Sequence, residues 1–324
     1  MENIEKLLEV AKEAAFEAGE IQLSYLGKAK EIAHKSCMSD LVTIADKQSE
    51  EKIISIIHTY FPNHDILAEE TGSHKEHNSE YLWVIDPLDG TTNFAHNFPH
   101  FAVSIGLVKS GKIILGVVFD PNKNELFWAA EGNGAFLNSN EIKVSNISKL
   151  SDSLVATGFA PAKKEALEEN LEYFKQFMFK TQAVRRPGAA SLDICYVACG
   201  RLDGFWEMKL NPWDVAAGTC IVREAGGLVT NFYSEDFDIY TKNIIASNGI
   251  LHLKMKDIIE IKQQSNKIMH IYPDRVEIKV DDEIRGSWLI WSTDDIREAE
   301  KMAREFNCEV VKEDQSNQLT LDIQ

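Results

Sequence analysis

The segment Trp83–Phe94, which reads WVIDPLDGTTNF, constrains the fold and the chemistry of this chain more than any other stretch. The apolar run at its start predicts a buried strand, which ends abruptly in Asp86. Pro87 stops the strand ladder, Asp89 follows three positions after Asp86, and Gly90 opens a turn into a helix start. The layout predicts a strand whose end places two carboxylates close to a glycine turn with free backbone N–H groups.

Two interpretations of this segment are open when it is taken alone. Two carboxylates so close together repel unless a cation lies between them, because like charges in one site raise a pKa. A turn that leads into a helix N-terminus also offers free N–H groups to a phosphate. Asp, Pro and Gly, however, favour turns for conformational reasons alone. The segment is therefore either a cation and phosphate site or an aspartate-rich turn, and the rest of the chain must decide.

Length, composition and charge bound the class of protein. The chain has 324 residues, more than one average domain, and its hydrophobic fraction of 44% is ordinary for a globular protein. Lys and Arg number 34 and Asp and Glu 51, which gives a net charge of −17. A chain this acidic is a poor partner for nucleic acid or an anionic membrane surface. We therefore expect neither partner, although bound cations and local basic residues can still admit a small anionic substrate.

The N-terminal sequence and the cysteines bear on the compartment. MENIEKLLEV lacks the basic start and apolar stretch of a signal peptide, and no apolar run approaches the ~20 residues that span a bilayer. The five cysteines are odd in number. Cys195 and Cys199 fall at i,i+4 in a predicted helix, but no second pair with zinc-ligand spacing accompanies them. Free thiols in a reducing cytoplasm are the favoured interpretation, and we expect a cytoplasmic protein.

Hydrophobic periodicity predicts the order of the elements. In the first half, amphipathic helices over 4–25 and 43–60 precede a short strand at 64–68 and a strand meander over 101–145. This order favours an antiparallel sheet flanked by the two helices. The second half alternates strands with helices: strands at 153–159, 182–187, 201–208 and 244–249, and helices at 162–180, 189–200, 213–227 and 250–264.

Composition divides the chain into two predicted domains. Residues 1–265 are predicted to form a catalytic domain with an antiparallel-sheet half (1–150) and an α/β half (151–265). A polar stretch, KQQSNK, is typical of a linker. Residues 268–324 then predict a small appendage with the order β-β-α-β-β, whose helix covers 294–306. Its role is open between a structural extension and a part that covers an edge, mediates oligomerisation or binds a regulator.

Acidic residues also stand at the ends of other elements. Glu69 and Glu70 end the strand before the motif, and Asp214 begins a helix after Pro212 and Trp213. Taken singly, the glutamates could be a solvated pair and Asp214 a helix N-cap. Together they recur where elements end, the common location of sites on a rigid scaffold. Carboxylate oxygens in this number suit a hard cation such as Mg²⁺ or Mn²⁺ better than zinc.

Five segments together resemble the inositol monophosphatase family, over roughly residues 1–260 and in the family's order. They are Lys35 with Asp40-Leu41-Val42-Thr43-Ile44-Ala45-Asp46, Ala68-Glu69-Glu70-Thr71, the segment 83–94, Trp213-Asp214-Val215-Ala216-Ala217-Gly218 and Glu224-Ala225-Gly226-Gly227. DPLDGTTNF with a downstream WDVAAG is a highly specific combination. The resemblance implies an α+β fold, a layered α-β-α-β-α sandwich like that of inositol monophosphatase and fructose-1,6-bisphosphatase.

The resemblance also implies a role for each matching residue. Two or three Mg²⁺ ions, for which Mn²⁺ could substitute, would be held by Glu70, Asp86, Asp89, Asp214 and the backbone carbonyl of Leu88. Thr91, Asp46 and Glu70 would be catalytic, with the Thr91 hydroxyl and Asp46 helping to activate the attacking water. Since the metals already supply a nucleophile near neutral pH, we do not expect His58, His64, His96 or His100 to act as the base.

The substrate-binding residues follow from the same resemblance. They are Asp89, Gly90, Thr91, Thr92, Arg186, Gly188, Ala189, Ala190, Glu207 and Asp214. The amides of 90–92 would hold the phosphate, whereas Glu207 and the segment 185–190 would meet the alcohol. Arg185 and Arg186 could instead form a structural or dimer-interface ion pair. Lys35 could balance charge near the metals or be an exposed lysine.

We therefore expect a Mg²⁺-dependent phosphomonoesterase that hydrolyses myo-inositol monophosphate to inositol and phosphate. Fructose-1,6-bisphosphate, another sugar phosphate or a nucleotide bisphosphate is the alternative substrate, so the expected partner is a small phosphorylated polyol or sugar. A catalytically idle scaffold protein is a less favoured alternative, because every implied carboxylate is present. The family also implies lithium sensitivity and a homodimer.

Overall fold

The computed structural model describes residues 2–28, 32–34, 41–74, 78–159, 164–233, 235, 237–263, 267–271, 275–280, 283–289 and 309–312. The chain divides into two compact units, Met1–Ile259 and Glu260–Gln324. Three predictions fall outside the described residues: the role of Lys35, the appendage helix over 294–306 and the final appendage strand over 318–323. In the part of the chain that is described, no helix combines the length and the apolarity needed to cross a membrane.

The helices and strands follow the predicted order closely. The α-helices are α1 (Ile4–Tyr25), α2 (Ile44–Tyr60), α3 (Thr91–Ala95), α4 (Lys164–Lys180), α5 (Ala190–Ala198), α6 (Pro212–Glu224) and α7 (His252–Gln263). The strands of the first unit are β1 (Ile32–His34), β2 (Leu41–Thr43), β3 (Asp65–Ala68), β4 (Gly72–His74), β5 (Tyr81–Asp89), β6 (Ala102–Lys109), β7 (Lys112–Asp120), β8 (Glu125–Ala130), β9 (Ala135–Leu137), β10 (Asn140–Ile142), β11 (Leu154–Thr157), β12 (Ala183–Arg185), β13 (Gly204–Met208), β14 (Leu228–Thr230) and β15 (Asn243–Ser247).

The first half forms an eight-stranded sheet in the order β10-β9-β8-β7-β6-β5-β3-β4. The strand meander from β5 to β10 is antiparallel throughout, as the sequence predicts. One pair departs from the prediction, because β3 and β5 run parallel. The reason is that β4 forms the antiparallel pair with β3, so that β5 joins the other side of β3 in the same direction. This parallel pair brings the carboxyl ends of β3 and β5 to one edge.

The second half forms a five-stranded mixed sheet in the order β12-β11-β13-β15-β14. β12, β11 and β13 are parallel, whereas β15 pairs antiparallel with both β13 and β14. Strand β14 was not predicted, since three residues directly after a Gly-Gly helix end are too short for periodicity to identify.

The core clusters confirm the five-layer α-β-α-β-α arrangement. Helices α1 and α2 pack on one face of the eight-stranded sheet, and α5 and α6 fill the space between the two sheets. Helices α4 and α7 cover the outer face of the five-stranded sheet. The pleat of β5 divides its side chains accordingly: Trp83 and Ile85 pack towards α1 and α2, and Val84 packs towards α5 and α6.

Helix α6 approaches the eight-stranded sheet unusually closely. Gly106 of β6 and Gly116 of β7 are paired in register, and a Cβ on Gly106 would lie 2.8 Å from Ala216 Cβ. A Cβ on Gly116 would overlap the backbone of Ala217. The two glycines therefore admit the helix against the strands, and this contact fixes the position of Asp214 at its start.

The described part of the second unit is a four-stranded sheet in the order β18-β17-β16-β19. Its strands are β16 (Lys267–Ile271), β17 (Arg275–Val280), β18 (Glu283–Leu289) and β19 (Glu309–Lys312). Neighbours among β16, β17 and β18 are antiparallel, and β19 joins β16 in parallel. The sequence predicts two strands before the appendage helix, whereas the structure has three, β16, β17 and β18.

Candidate active site

A β-bulge at the end of β5 shapes the motif that dominates the sequence. Asp86 pairs with Ser104 and Asp89 with Ala102, so that Pro87 and Leu88 together oppose one residue of β6. The Asp86 carboxylate accepts a hydrogen bond from the Leu88 N–H at 3.0 Å. The bulge is therefore closed by a short contact within the motif itself.

The buried side chain of Gln22 holds the bulge from outside. Its Nε2 donates to the Pro87 carbonyl oxygen at 2.7 Å, from helix α1. Because a Pro-containing bulge cannot be fixed by ladder hydrogen bonds alone, this distant donor fixes the orientation of the peptide that precedes Leu88.

Four carboxylates meet at this end of the sheets: Asp86 and Asp89 are buried, and Glu69 and Asp214 are half-buried. Burial raises the pKa of Asp86 well above its usual range, and the charges of Glu69, Asp89 and Asp214 raise it further. Burial also raises the pKa of Asp89 and of Asp214, and Glu69 adds to both shifts. Like charges that raise one another's pKa in a low-dielectric site favour binding of a compensating cation.

The glutamate that joins these aspartates is Glu69, and not Glu70 as the sequence suggested. The Glu69 N–H donates to the Ile85 carbonyl oxygen at 3.2 Å, which continues the pairing of β3 with β5. Its side chain consequently lies beside Asp86 and hydrogen bonds to it. Glu70 is one residue further into the turn, and its N–H donates to Glu50 at 2.8 Å. Register therefore decides between two adjacent glutamates that the sequence alone does not distinguish.

Glu50 is a residue that sequence reasoning missed. It is buried on α2, and its two carboxylate oxygens accept from the N–H groups of Glu70 and Thr71, both at 2.8 Å. This bidentate contact anchors the turn that carries Glu69. The available signal was the i,i+4 spacing of Asp46 and Glu50, which puts both carboxylates on one face of α2.

Asp46 and Thr91 are brought together as the family resemblance implies. The Thr91 hydroxyl lies 3.2 Å from Asp46 Oδ1 and 3.1 Å from the Leu88 carbonyl oxygen, and can donate to either. Asp46 is fully buried in the first turn of α2, where the helix dipole favours a negative charge. With its proton directed to these acceptors, the Thr91 oxygen keeps lone pairs that can accept a hydrogen bond from a water.

Gly90 is required by the geometry of the turn that follows. Its φ of 89° lies in the left-handed region, and it caps the short helix α3. A Cβ at this position would lie 3.0 Å from the His100 carbonyl oxygen and 3.2 Å from Ala189 Cβ. The turn over 90–92 is thus packed directly against the start of α5, and Thr92 is exposed.

Asp89 also caps a helix far away in the chain. Helix α5 begins after Ala189, which has no side chain that could cap it. The Ser191 N–H and hydroxyl donate instead to Asp89 Oδ2, at 2.7 and 2.6 Å. These bonds oppose the rise in the pKa of Asp89. A residue of the motif therefore orients the segment that contains Ala189 and Ala190.

Asp214 is held at the start of α6 by a capping box. Asn211 is the N-cap, and Asp214 is the third helical residue rather than the N-cap. Its Oδ2 accepts from the Asn211 N–H at 2.7 Å, while the Asn211 side chain accepts from the backbone of Asp214. The contact fixes one carboxylate oxygen and the direction of the other.

Glu207 and Arg186 belong to a second part of the site, which we call the loop side (Arg186–Ala190 with Glu207). Glu207 is buried, and burial followed by the charge of Asp214 raises its pKa well above the usual range, while Arg186 opposes the rise. Gly158 makes room for this carboxylate, because a Cβ there would overlap both of its oxygens. The remaining part, Glu69 with Asp86–Thr92 and Asp214, is the carboxylate side.

The structure gives two of the four histidines a partner within the fold. His64 Nδ1 lies 3.1 Å from the indole Nε1 of Trp83, from which it can accept a hydrogen bond. His100 Nε2 lies 3.3 Å from Asp193 Oδ1, and both side chains are buried. Asp193 was not identified from the sequence. Burial and the charge of Asp89 raise its pKa well above the usual range.

The donor set of the carboxylate side fits a hard divalent cation in its chemistry, since it consists of carboxylate and carbonyl oxygens. Among the described residues, however, no three Asp, Glu, His or Cys side chains converge at the spacing of a ready-made metal centre. Asp89 and Asp214 are each turned towards a protein N–H donor, at Ser191 and Asn211. A bound cation would therefore have to compete with these donors for the carboxylate oxygens.

Known proteins share this sequence and fold. The model of the inositol monophosphatase family matches residues 3–267. An inositol-1-monophosphatase from Synechocystis is 45% identical over 262 residues, which cover 81% of this chain and 91% of the relative. A fructose-1,6-bisphosphatase/inositol-1-monophosphatase from Aquifex aeolicus is 42% identical over 253 residues, which cover 78% and 94%. The solved structure of an inositol monophosphatase from Anabaena (Nostoc) is 45% identical, with a TM-score of 0.73 over 80% of this chain and 97% of that one.

The site and these comparisons together define a phosphatase of the layered α-β-α-β-α class. The chain belongs to the inositol monophosphatase family. Membership confirms the resemblance that the sequence motifs carry, and it covers the first unit, not the appendage that follows.

Proposed function

We propose that this protein is a Mg²⁺-dependent phosphomonoesterase that hydrolyses myo-inositol monophosphate to inositol and phosphate. The observation that carries the proposal is the group of four neighbouring carboxylates, Glu69, Asp86, Asp89 and Asp214, beside the Gly90 turn and the Asp46–Thr91 pair. A phosphate monoester resists hydrolysis because its phosphorus is surrounded by negative charge and the attacking water is weak.

In this proposal Glu69, Asp86, Asp89 and Asp214, with the Leu88 carbonyl, hold two or three Mg²⁺ ions, for which Mn²⁺ can substitute. Bound divalent ions would neutralise phosphate charge, activate the attacking water and stabilise the leaving oxygen. The choice of Mg²⁺ rests on an all-oxygen donor set, which a hard cation prefers. Glu69 takes the role that the sequence suggested for Glu70, because its carboxylate is the one that hydrogen bonds to Asp86.

The residues of the chain then orient the reactants. The Thr91 hydroxyl donates a hydrogen bond to Asp46, and its oxygen accepts a hydrogen bond from the attacking water. As the water attacks phosphorus, its proton passes to the Thr91 oxygen while the original Thr91 proton moves to the Asp46 carboxylate. The N–H groups of 90–92 at the start of α3 bind phosphate oxygens. Glu207, which lies on the loop side with Arg186, accepts hydrogen bonds from substrate hydroxyls.

The substrate is the part of the proposal that needs the most direct test. The inositol-1-monophosphatase of Synechocystis supports an inositol phosphate, and the dual name of the Aquifex relative supports fructose-1,6-bisphosphate as a second candidate. A cytoplasmic location, lithium sensitivity and a homodimer belong to the same proposal. Gel filtration with light scattering on the full chain would measure the oligomeric state.

Phosphate release should be measured with myo-inositol 1-phosphate, fructose-1,6-bisphosphate and 3′-phosphoadenosine 5′-phosphate, with Mg²⁺ and with EDTA. We expect the highest kcat/KM for the inositol ester, and no turnover in EDTA. Asp89→Asn, which keeps an oxygen that can accept from Ser191, should lower kcat by about a thousandfold while the protein remains folded. Full turnover by that variant, or turnover that survives EDTA, would contradict the metal assignment.

A further inference from the structure

Asn93 makes an unusual set of contacts between two parts of the site. It is the third residue of α3, and its side-chain Nδ2 lies 2.7 Å from the His100 carbonyl oxygen and 2.9 Å from that of Pro187. The Gly188 carbonyl oxygen is a third neighbour, at 3.3 Å. Only the NH₂ end of the amide can donate to carbonyl oxygens, so these contacts also determine which way the amide group points. Its two hydrogens serve the oxygens of His100 and Pro187, and the more distant Gly188 oxygen can only share one of them.

These contacts connect segments that are far apart in sequence. Asn93 is fixed to the turn over 90–92 by its place in α3, and Pro187 and Gly188 belong to the loop side. Gly188 has a φ of 95°, and a Cβ there would lie 2.8 Å from Arg186 Nη1 and 3.3 Å from Asn93 Nδ2. The backbone at 187–188 therefore lies directly against the amide, with the Arg186 side chain folded over the glycine.

The other ties between the two sides act at different points. Ser191 binds Asp89, and Asp193 lies against His100, both within helix α5. Asn93 reaches the irregular backbone before the helix at the carbonyl oxygens of Pro187 and Gly188, which helical hydrogen bonds do not hold. The Gly188 N–H is held separately, because it donates to the Asp193 carboxylate. Without Asn93, the backbone at 187–188 would keep that contact within its own segment but lose its hydrogen bonds to α3.

We propose that Asn93 is a positioning residue that sets the distance between the phosphate-binding turn and the backbone that recognises the alcohol half of the substrate. This inference rests on the proposed function, since it assigns the turn to phosphate and the loop side to the alcohol. Asn93 would then contribute to substrate discrimination without touching either the phosphate or the alcohol half of the substrate. A loop carbonyl or guanidinium displaced by a fraction of an ångström loses its hydrogen bond to a hydroxyl, whereas the phosphate contacts stay in place.

The test compares two esters that share the phosphate and differ in the alcohol. The variants are Asn93→Asp, which keeps the size but presents only acceptors to the three carbonyls, and Asn93→Ala, which adds no charge. The matched control is Asn97→Asp, the same change on an exposed residue of the next turn, which carries the same added charge. kcat and KM are measured with myo-inositol 1-phosphate and with p-nitrophenyl phosphate, whose alcohol has no further hydroxyl, and inhibition by inorganic phosphate is measured alongside.

We expect both Asn93 variants to raise the KM for the inositol ester by about tenfold, the loss of roughly one hydrogen bond. The KM for p-nitrophenyl phosphate and the inhibition constant for phosphate should change by less than about twofold in the same variants. Asn97→Asp should leave all three values unchanged. A purely structural role would lower kcat for both esters equally through a smaller folded fraction, and thermal unfolding of each variant would report it.

Equal changes for the two esters, or none, would overturn the positioning role. The wild-type measurements identify a failure of the proposed function separately. If the wild type prefers fructose-1,6-bisphosphate, the proposed substrate is wrong and the same comparison is made with that ester. If it releases phosphate from no ester, the proposed function and the role of Asn93 are both wrong.

Discussion

The carboxylate side and the loop side differ in what holds them in shape. Within the carboxylate side, Asp86 binds the Leu88 N–H and Thr91 lies against the Leu88 carbonyl, so the segment contributes to its own bulge and turn, and Gln22 adds a contact from α1. The loop side has a local contact that joins the Gly188 N–H to Asp193. Its backbone is held by Asn93 and its helix start by Asp89, both about a hundred positions earlier in the chain.

This difference distinguishes the residues that act on the phosphate from the residues that select among esters. A motif that supplies part of its own geometry depends less on distant contacts, which suits the groups that act on phosphate. A segment shaped by distant contacts changes when any of those contacts changes. We therefore expect substitutions on the carboxylate side to lower kcat for every ester, and substitutions behind the loop side to change the preference among esters.

Outside the motif 83–94, the largest effect should come from the pair of adjacent glutamates. Glu69→Gln removes the carboxylate that hydrogen bonds to Asp86, and we expect kcat to fall by about a hundredfold with a higher half-saturating Mg²⁺ concentration. Glu70→Gln, the same change one residue later, should stay within about threefold of the wild type, since the backbone N–H of Glu70 is the group that contacts Glu50. The reverse order of effects would restore Glu70 as the functional residue.

An intermediate effect, on the KM for the inositol ester, is expected from substitution of Gly158, which lies against the Glu207 carboxylate. A Cβ there would overlap both Glu207 oxygens, and the Gly158 backbone cannot retreat because its carbonyl oxygen accepts from Asn170 at 2.6 Å. Gly158→Ala should displace the carboxylate and raise the KM for myo-inositol 1-phosphate by about tenfold, with little change for p-nitrophenyl phosphate. An equal loss with both esters would mean that the two sides are not separable in this way.

The smallest effect is expected at His252, which belongs neither to the carboxylate side nor to the loop side and affects stability. His252 is buried, and its ring nitrogens lie 2.9 Å from the hydroxyls of Thr230 and Ser247. Thr230 donates to the Asn231 carbonyl and can therefore accept from Nε2–H, and in a neutral ring Nδ1 then accepts from the Ser247 hydroxyl. A neutral imidazole thus satisfies both contacts.

Burial, followed by the charge of Lys256, lowers the pKa of His252 from 6.5 to about 4. Between those values the unfolded chain binds the proton and the folded protein does not, so acid destabilises the fold in that window. Lowering the pH from 7 to 5 should cost about 2 kcal/mol of unfolding free energy in the wild type relative to His252→Gln. Denaturant unfolding measures this difference, and the ratio of kcat/KM for the two esters should not follow it. Equal pH slopes for the two proteins would show that His252 takes up its proton normally.

Much of the fold could be predicted from local patterns. The helix over 4–25 and the meander after residue 101 follow directly from hydrophobic periodicity, which reflects which face of an element is buried. The parallel pairing of β3 with β5 and the strand β14 could not be predicted in this way. Both depend on which strand is adjacent in space, and a strand of three residues has too few side chains to show alternation.

The sequence by itself determined the family and the kinds of residue at the site: a Pro-interrupted strand with Asp86 and Asp89, a glycine turn, and carboxylates at the ends of other elements. These features are local, since the residue types that form a bulge or turn stand next to one another in the sequence. Only the tertiary structure decided that Glu69 rather than Glu70 joins the aspartates, that Asp89 caps α5 and that Asn93 holds the loop side. Each of these depends on strand register or on a contact across the two sheets, and such distances are fixed when the layers pack, not by the spacing of residues along the chain.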